Sequence, residues 1–378
     1  MKLLAALSGG VDSAVAAALA VEKGHDVTAV HMALMRNREL ARSGSRGCCS
    51  IEDSNDAAVV ASKLNIPFYV WDLSEEFQKK VIKDFVNEYR FGRTPNPCVR
   101  CNEFIKFQTL LERSLTLGFD GIITGHWAKI ISGNLYRAKN ISKDQSYVLA
   151  VMGKKVIEKC YFPLGDFLSK DDVRKKAKDL EFEVKDKPES TDICFIQKGK
   201  TGEFLSSHLG EQSGNILDND GKILAKHKGY FHYTIGQRKG LNIKNPNSDG
   251  SPRYVIKIKP EDNEVIVGSK NDLDTKIIYA KLDSWHDDKI IQKQGNIFQN
   301  PIKIQIRAHS EPILVQAEIC DQKSLEENYF KKGQIWKFIL DSLQKNGVAN
   351  GQTLVVYKTD KYGEKVLGSW TIVNSEQF

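Results

Sequence analysis

Leu7-Ser8-Gly9-Gly10-Val11-Asp12-Ser13 joins an apolar run, Leu3 to Leu7, to an Ala-rich stretch that stops at Gly24. A short apolar run broken by Gly-Gly reads as a buried strand entering a tight turn. The stretch from Val11 to about Lys23 then reads as a helix. The two glycines let the backbone pass close to a phosphate. The helix N-terminus presents open N–H groups at its positive dipole end, and Ser8 and Ser13 add hydroxyl donors. Asp12 would repel phosphate unless a magnesium ion lies between, so the loop reads as a site for Mg-ATP. The lysine of a Walker loop is missing. The loop is therefore expected to hold the pyrophosphate end of ATP and leave the α-phosphate open to attack. The plainer reading of the same residues is an ordinary Gly-rich strand-to-helix turn.

Outward from the loop, strand and helix patterns alternate. Val27 to His31, Phe68 to Trp71 and Gly121 to Thr124 read as further strands. A helix capped by Ser50 and Asp53 is expected to reach Leu64. Phe77, Val81, Phe85 and Tyr89 mark one helix face, and another helix is expected from about Glu103 to Leu117. Such alternation implies an α/β fold with a parallel sheet covered on both faces. The pattern changes after about Cys194. From Gly229 onward, short β-rich runs (Tyr254 to Lys259, Glu264 to Gly268, Ile302 to Arg307, Ile313 to Glu318, Thr353 to Tyr357) suggest a small barrel or sandwich. The expected division is 1–200 for the nucleotide domain, 201–276 for a small central linker domain, and 277–378 for a C-terminal β-barrel.

The 378 residues allow two to three domains, and 41% hydrophobic with 27% charged residues fits a packed protein. Lys plus Arg exceeds Asp plus Glu by 55 to 48, a net charge of +7 that fits nucleic-acid binding without requiring it. The seven cysteines (Cys48, Cys49, Cys98, Cys101, Cys160, Cys194 and Cys320) are an odd number in a long chain, unlike a disulfide scaffold. Ser8-Gly9-Gly10 and Asp12 interrupt the N-terminal apolar run, so it is not read as a signal peptide. No stretch approaches the ~18 apolar residues of a membrane span, so a cytoplasmic protein is expected.

The loop resembles the signature of the ATP pyrophosphatases (the PP-loop family). The cysteines narrow the choice within it. Thr94-Pro95-Asn96-Pro97-Cys98-Val99-Arg100-Cys101-Asn102 places two thiols in a proline-stiffened loop, with Cys101 near the start of the next helix. Ser190-Thr191-Asp192-Ile193-Cys194-Phe195-Ile196 supplies another thiol. One thiol carrying sulfur and another resolving it is a sensible pair. With Gly92 to Phe107, Thr124-Gly125-His126, Ser142 to Tyr147 and His232 to Leu241, these stretches fall in the order found in the bacterial tRNA-specific 2-thiouridylases. The chain resembles that family as far as about Leu241; beyond it only the β-rich character matches.

The resemblance implies an adenine nucleotide alpha-hydrolase-like catalytic domain and a particular chemistry. The 2-oxygen of the wobble uridine, in tRNAs for glutamate, glutamine and lysine, attacks the α-phosphate of ATP. Pyrophosphate leaves, a persulfide on Cys194 supplies sulfur, and AMP departs. Cys101 is the nucleophile on sulfur and can end in a disulfide with Cys194. A cysteine desulfurase or a sulfur-relay protein loads the persulfide. By the same resemblance, Ala6, Leu7, Ser8, Gly9, Gly10, Val11, Asp12 and Ser13 cradle ATP, with Met32 and Gly125 at its adenine end. Asn96, Pro97 and Cys98 match the segment that touches the target base. His126, Lys143, Asp144, Gln145, Arg307 and Gln352 match tRNA contacts. One position departs: many relatives carry Asp where this chain has Cys98, and a thiol of pKa ~8.5 does not replace a carboxylate of ~3.9.

Plainer readings stand beside these. Cys98 and Cys101 also fit a redox pair or half a zinc site, but Cys48-Cys49 is adjacent rather than spaced, so no metal-ligand set is assigned. Cys160 and Cys320 read as buried small hydrophobes, and Arg174-Lys175-Lys176 as a solvated helix face. A PP-loop ligase acting on a small molecule leaves Cys101, Cys194 and the C-terminal β-rich region unexplained. A non-catalytic RNA-binding protein needs neither the loop nor the thiols.

Overall fold

The computed structural model describes residues 1–35, 51–188, 193–243, 250–286, 301–320 and 334–377. They form two compact units. The first comprises Met1–Lys83, Pro97–Lys200 and Thr359–Val366; the second comprises Asp84–Asn96, Thr201–Lys358 and Leu367–Phe378.

The first unit is built on five strands: β1 (Lys2–Ala6), β2 (Asp26–Ala33), β3 (Phe68–Asp72), β4 (Gly121–Ile123) and, after the hairpin below, β7 (Cys160–Tyr161). Their order is β3-β2-β1-β4-β7, and every pairing is parallel. β1 is central, with Leu4 opposite Thr28 on one side and Ile122 on the other. Both its faces are covered, which is why it reads as a continuous apolar run rather than an alternating one. Helix α1 (Val11–Glu22) lies on this sheet through Ala14, Ala16, Ala17, Ala18 and Ala20, all buried. Its alanines carry high helix propensity and little side-chain bulk, so the helix approaches the strands closely. Helix α2 (Ile51–Lys63) buries Ala57, Val60 and Ala61 in the same core. The expected cap Ser50 falls outside the described residues.

Two long helices follow. α3 (residues 74–90) buries Phe77, Val81 and Phe85 as their spacing requires. α4 (residues 97–116) starts at Pro97, earlier than the expected Glu103, so Cys98 and Cys101 lie in a helix rather than a loop. Proline is suited to a first helical position, because its fixed φ is pre-organised and its missing N–H would have no partner there. Both helices contain π-helical stretches, Gln78–Ile82 and Cys101–Leu110. β5 (Ala128–Ile131) and β6 (Asn134–Arg137) form a hairpin. Its turn residues Ser132 and Gly133 have φ of 49° and 73°, the sign a two-residue I′ turn demands. β6 also pairs with the 359–366 segment, Tyr136 opposite Lys365. Helix α5 (Lys170–Asp179) is opened by a capping box between Ser169 and Asp172 and buries Val173 and Ala177.

Beyond Asp84–Asn96, the second unit continues with helix α6 (Thr201–Leu209). A four-stranded sheet follows, of order β10-β11-β8-β9, made by β8 (Gly214–Leu217), β9 (Ile223–His227), β10 (Tyr254–Lys259) and β11 (Glu264–Gly268). The rest is six strands: β12 (Thr275–Trp285), β13 (Ile302–Gln305), β14 (Ile313–Ile319), β15 (Ile335–Gln344), β16 (Thr353–Asp360) and β17 (Gly363–Gln377). They run in the order β12-β15-β14-β13-β16-β17, and β12 pairs with β17 as well. That last pairing closes the six described strands into a barrel, which decides between barrel and sandwich. Its interior is filled by Trp336, Trp370, Phe338, Ile278 and Leu354, with the Trp336 and Trp370 ring centroids 5.1 Å apart.

Candidate functional site

The Ser8–Ser13 loop lies at the C-terminal end of β1, where open parallel sheets place their ligands. Three contacts fix it. The Ser13 hydroxyl donates to Gly10 O at 2.9 Å and accepts from Ser8 N at 3.1 Å. His31 Nδ1 lies 2.9 Å from Leu7 O, so Nδ1 carries the proton it donates. Gly9 has φ of +75°, and a Cβ there would overlap the Asp53 backbone. Gly125, just beyond β4, sits against the loop from the other side: a Cβ would come within 2.6 Å of Asp12 C and Ser13 N. The N-cap of α1, Gly10, makes no side-chain capping bond. The first N–H groups of the helix are thus left for a bound anion.

The helix end opens into a cavity of ≈ 320 Å³ lined by the loop, Met32, Asp53, Gly125, His126 and four lysines: Lys106, Lys143, Lys170 and Lys187. Among the expected ATP residues, Ala6, Leu7, Ser8, Gly10, Val11, Asp12, Ser13, Met32 and Gly125 line it, while Gly9 turns the chain behind it. The cavity wall carries lysine even though the loop does not. Lys170, the first residue of α5, contacts both Asp12 carboxylate oxygens at 2.7 Å. Lys187 contacts Asp53 Oδ1 at 2.6 Å and also reaches Asp56. The charge of Asp12 is therefore balanced by protein. Among the described residues no cluster of three or more His, Cys, Asp or Glu gathers to hold a metal. Mg²⁺ needs only one or two carboxylates when phosphates complete its shell, and Asp12 and Asp53 would supply them.

His126 follows β4 and is buried between the rings of Phe107 and Phe162. Desolvation first, and the Lys106 charge second, push its pKa well below the ordinary value, so the ring is neutral. Lys106 Nζ lies 3.4 Å from Nε2 and Thr124 Oγ1 lies 2.7 Å from Nδ1. An ammonium can only donate, so Nε2 accepts and Nδ1 holds the proton. Gln145 accepts from Trp127 N at 2.9 Å and, like Lys143, faces the cavity. Asp144 does not. It is buried and bonded to Arg137 Nε at 3.0 Å, Ala138 N at 2.8 Å and Ser146 Oγ at 2.7 Å. Burial raises its pKa, opposed by those bonds and the Arg137 charge.

The described cysteines all carry thiols. Cys98 is exposed and Cys101 is buried, both in the first turns of α4; Cys194 is half-buried and Pro97 buried. Cys160 and Cys320, expected to be buried, are half-buried, and desolvation pushes both thiols up, Cys160 far up. Cys48 and Cys49, and Ser190 to Asp192, lie outside the described residues. Asn96, Arg307 and Gln352 belong to the second unit. There Gln352 Nε2 donates to Thr94 O at 2.7 Å, and Arg307 Nη2 donates to Asn346 O and Gly347 O at 3.1 and 3.0 Å.

Lys170 and Lys187 are cavity residues that the sequence did not single out; Asp53 was read only as a helix cap, and Thr124 stood inside a quoted stretch without a role of its own. Lys170 reads as one more helix lysine; only Ser169 and Asp172, a cap signal, mark where its helix starts. Lys106 stood inside a quoted stretch without a role.

The family model described as the tRNA methyl transferase HUP domain matches residues 1–198, and that described as the tRNA methyl transferase PRC-barrel domain matches residues 202–269. Proteins named tRNA-specific 2-thiouridylase MnmA match along the whole length. The one from Beutenbergia cavernae is 46% identical over 98% of this chain and 94% of its own. That from Corynebacterium efficiens is 46% identical over 100% of both chains. That from Clavibacter michiganensis is 47% identical over 98% of this chain and 93% of its own.

Proposed function

Since the chain belongs to the tRNA-specific 2-thiouridylase family, we infer that it is a tRNA uridine sulfurtransferase that uses ATP to replace the 2-oxygen of a uridine with sulfur. The alternative of a PP-loop ligase for small molecules is not favoured by full-length relatives of that name. The observation that best supports ATP as the activating substrate is the uncapped N-terminus of α1 opening into a lysine-lined cavity.

The proposed sequence starts with the wobble uridine of tRNAs for glutamate, glutamine and lysine. Its O2 attacks the α-phosphorus of ATP, and pyrophosphate leaves with the electron pair of the broken P–O bond. Ser8 to Ser13 hold the departing phosphates through backbone N–H groups and hydroxyls. Mg²⁺, when bound by Asp12 and Asp53, supplies charge neutralisation there. The terminal sulfur of a Cys194 persulfide then bonds to carbon 2, and AMP departs. Cys101 attacks Sγ of Cys194, releasing the thiolated base and leaving a disulfide that an external thiol reduces. A desulfurase or relay protein loads the next sulfur. The barrel within 277–378 is proposed as a tRNA-binding surface, with Arg307 and Gln352 ordering its loops, in a cytoplasmic protein. No described helix is long and apolar enough to cross a membrane.

The test is product analysis with unmodified tRNA, ATP and a persulfide donor. AMP, pyrophosphate and 2-thiouridine are expected; ADP and phosphate would sink this scheme. Cys194→Ser should release pyrophosphate and leave adenylated tRNA, Cys101→Ser should release pyrophosphate and AMP without freeing the base from Cys194, and neither should give 2-thiouridine by nucleoside mass spectrometry. A Cys194→Ser enzyme thiolating at the wild-type rate would refute the carrier role.

A further inference from the structure

Two of the four cavity lysines are held by carboxylates, but Lys106 stands apart. Lys170 is matched by Asp12, and Lys187 by Asp53 and Asp56. Among the described residues Lys106 has no carboxylate partner; its recorded contact is the His126 ring, 3.4 Å from Nζ. That ring offers a lone pair but no charge. Thr124 holds it from behind at 2.7 Å, and Phe107 and Phe162 wall it in. A cation steered by a neutral acceptor into a cavity, with its charge left unmatched, is arranged to meet an anion that arrives with substrate.

The helix that carries it adds a second observation. Lys106 is five residues after Cys101, and both lie in the π-helical stretch Cys101–Leu110. In an α-helix residues five apart point about 140° away from each other at 3.6 residues per turn. Hydrogen bonding from i to i+5 winds the helix more slowly and brings such residues towards one face. Thr109 Oγ1 donates to Phe104 O at 2.8 Å, also five residues back, and supports that winding. The ammonium is thus turned to the thiol side of the helix while still lining the nucleotide cavity.

We propose that Lys106 is a catalytic residue of the activation step, contacting the α-phosphate of ATP as uridine O2 attacks, and that His126 is its positioning residue. This rests on the ATP-activation reading above. The O2–Pα bond forms and the bond from Pα to the pyrophosphate oxygen breaks, its electron pair leaving on pyrophosphate. The proton of uridine N3 is released to solvent. Lys106 transfers no proton and acts by charge alone, the main resource of phosphoryl-group transfer. His126, neutral and accepting at Nε2, keeps the ammonium aimed and does not itself meet phosphate as a cation.

The test uses the full chain with tRNA and ATP, and Lys106→Ala, Lys106→Arg and His126→Gln. Lys106→Ala should slow pyrophosphate release roughly 100-fold or more, the scale of losing one oxyanion donor, while KM for ATP changes only a few-fold. Lys106→Arg should recover part of the rate. The decisive readout is the rate loss when sulfur replaces one non-bridging α-phosphate oxygen. Wild type should discriminate against one diastereomer of that ATP analogue, and Lys106→Ala should lose the discrimination, which a general loosening of the fold would not do. His126→Gln should weaken the discrimination partly. Unchanged discrimination in Lys106→Ala, or pyrophosphate release within threefold of wild type, overturns the proposal alone. A wild type that releases ADP overturns the activation reading and the proposal together.

Discussion

Cys98 is where this chain departs from the commoner family pattern, and the structure places it exposed in the first turn of α4, three residues before buried Cys101. Pro97 already sets the helix start, so Cys98 is expected to shape the target-base pocket. Cys98→Ala and Cys98→Asp should both keep partial single-turnover thiolation. A loss beyond ~100-fold in Cys98→Ala, the scale of a true acid-base group, would contradict that. His126 makes a residue-level prediction about pH. Its folded pKa is depressed by burial, so between that value and the ordinary ~6.5 the unfolded chain binds a proton that the folded chain does not. Stability from neutral His126 is therefore complete above about pH 6.5 and is lost as pH falls. The melting temperature should drop on acidification from pH 7.5 towards 5.5, and His126→Gln should shrink that drop. His227 and His232, also depressed by burial, keep it from vanishing. An equal drop in the variant would remove His126 from the account.

Element starts and ends follow local signals wherever those signals are strong. Gly24 has φ of +77° and follows α1, as its stop position demands. The start of α4 was missed because the Pro-Asn-Pro sequence reads as loop, although proline is at home on a helix's first turn. The π stretches were invisible, since they insert an extra residue per turn without altering composition. They carry a prediction. Gln108 is exposed within Cys101–Leu110, and its deletion should relax the stretch to α-helix. The thiol-bearing turn would then rotate by about 100°, one residue's worth, relative to Leu110 and Leu111, which stay in the core. Thiolation should fall roughly 100-fold through misplacement, with ATP affinity kept within a few-fold. Full activity would show that the π register has no functional role. The β5–β6 hairpin went unread for a different reason: four-residue strands are too short to show a period of two.

At the scale of the whole molecule, neither unit is a single stretch of chain. Thr359–Val366, at the tip of the β16–β17 hairpin, belongs to the first unit. There Glu364 bonds Arg137 Nη1 at 2.6 Å and Asp360 accepts from Tyr136 OH at 2.8 Å. Removing residues after Ile277 to test the barrel should weaken tRNA binding, but it would also strip Arg137 of one carboxylate. Breaking a buried ion pair costs about 3–5 kcal/mol, so Glu364→Ala alone should lower the first unit's stability measurably in urea, and the truncation further. Stability unchanged in both would assign the tip to the second unit only. tRNA affinity of the full chain should fall with salt at a slope of ~0.7–0.9 per phosphate contact; a flat response would exclude phosphate-dominated binding. The sequence by itself determined the loop between β1 and α1, the α/β order, the thiols at positions 98, 101 and 194, and the family. Each of these is written in neighbouring residues, as a period, a cap, a glycine pair or a motif. Tertiary structure alone decided that Lys170 balances Asp12 from 158 positions away, that Lys106 is aimed by a neutral histidine, that Asp144 faces inward, and that β12 closes on β17. Those facts depend on burial and long-range pairing, which set charge, protonation and sheet closure only once distant segments meet.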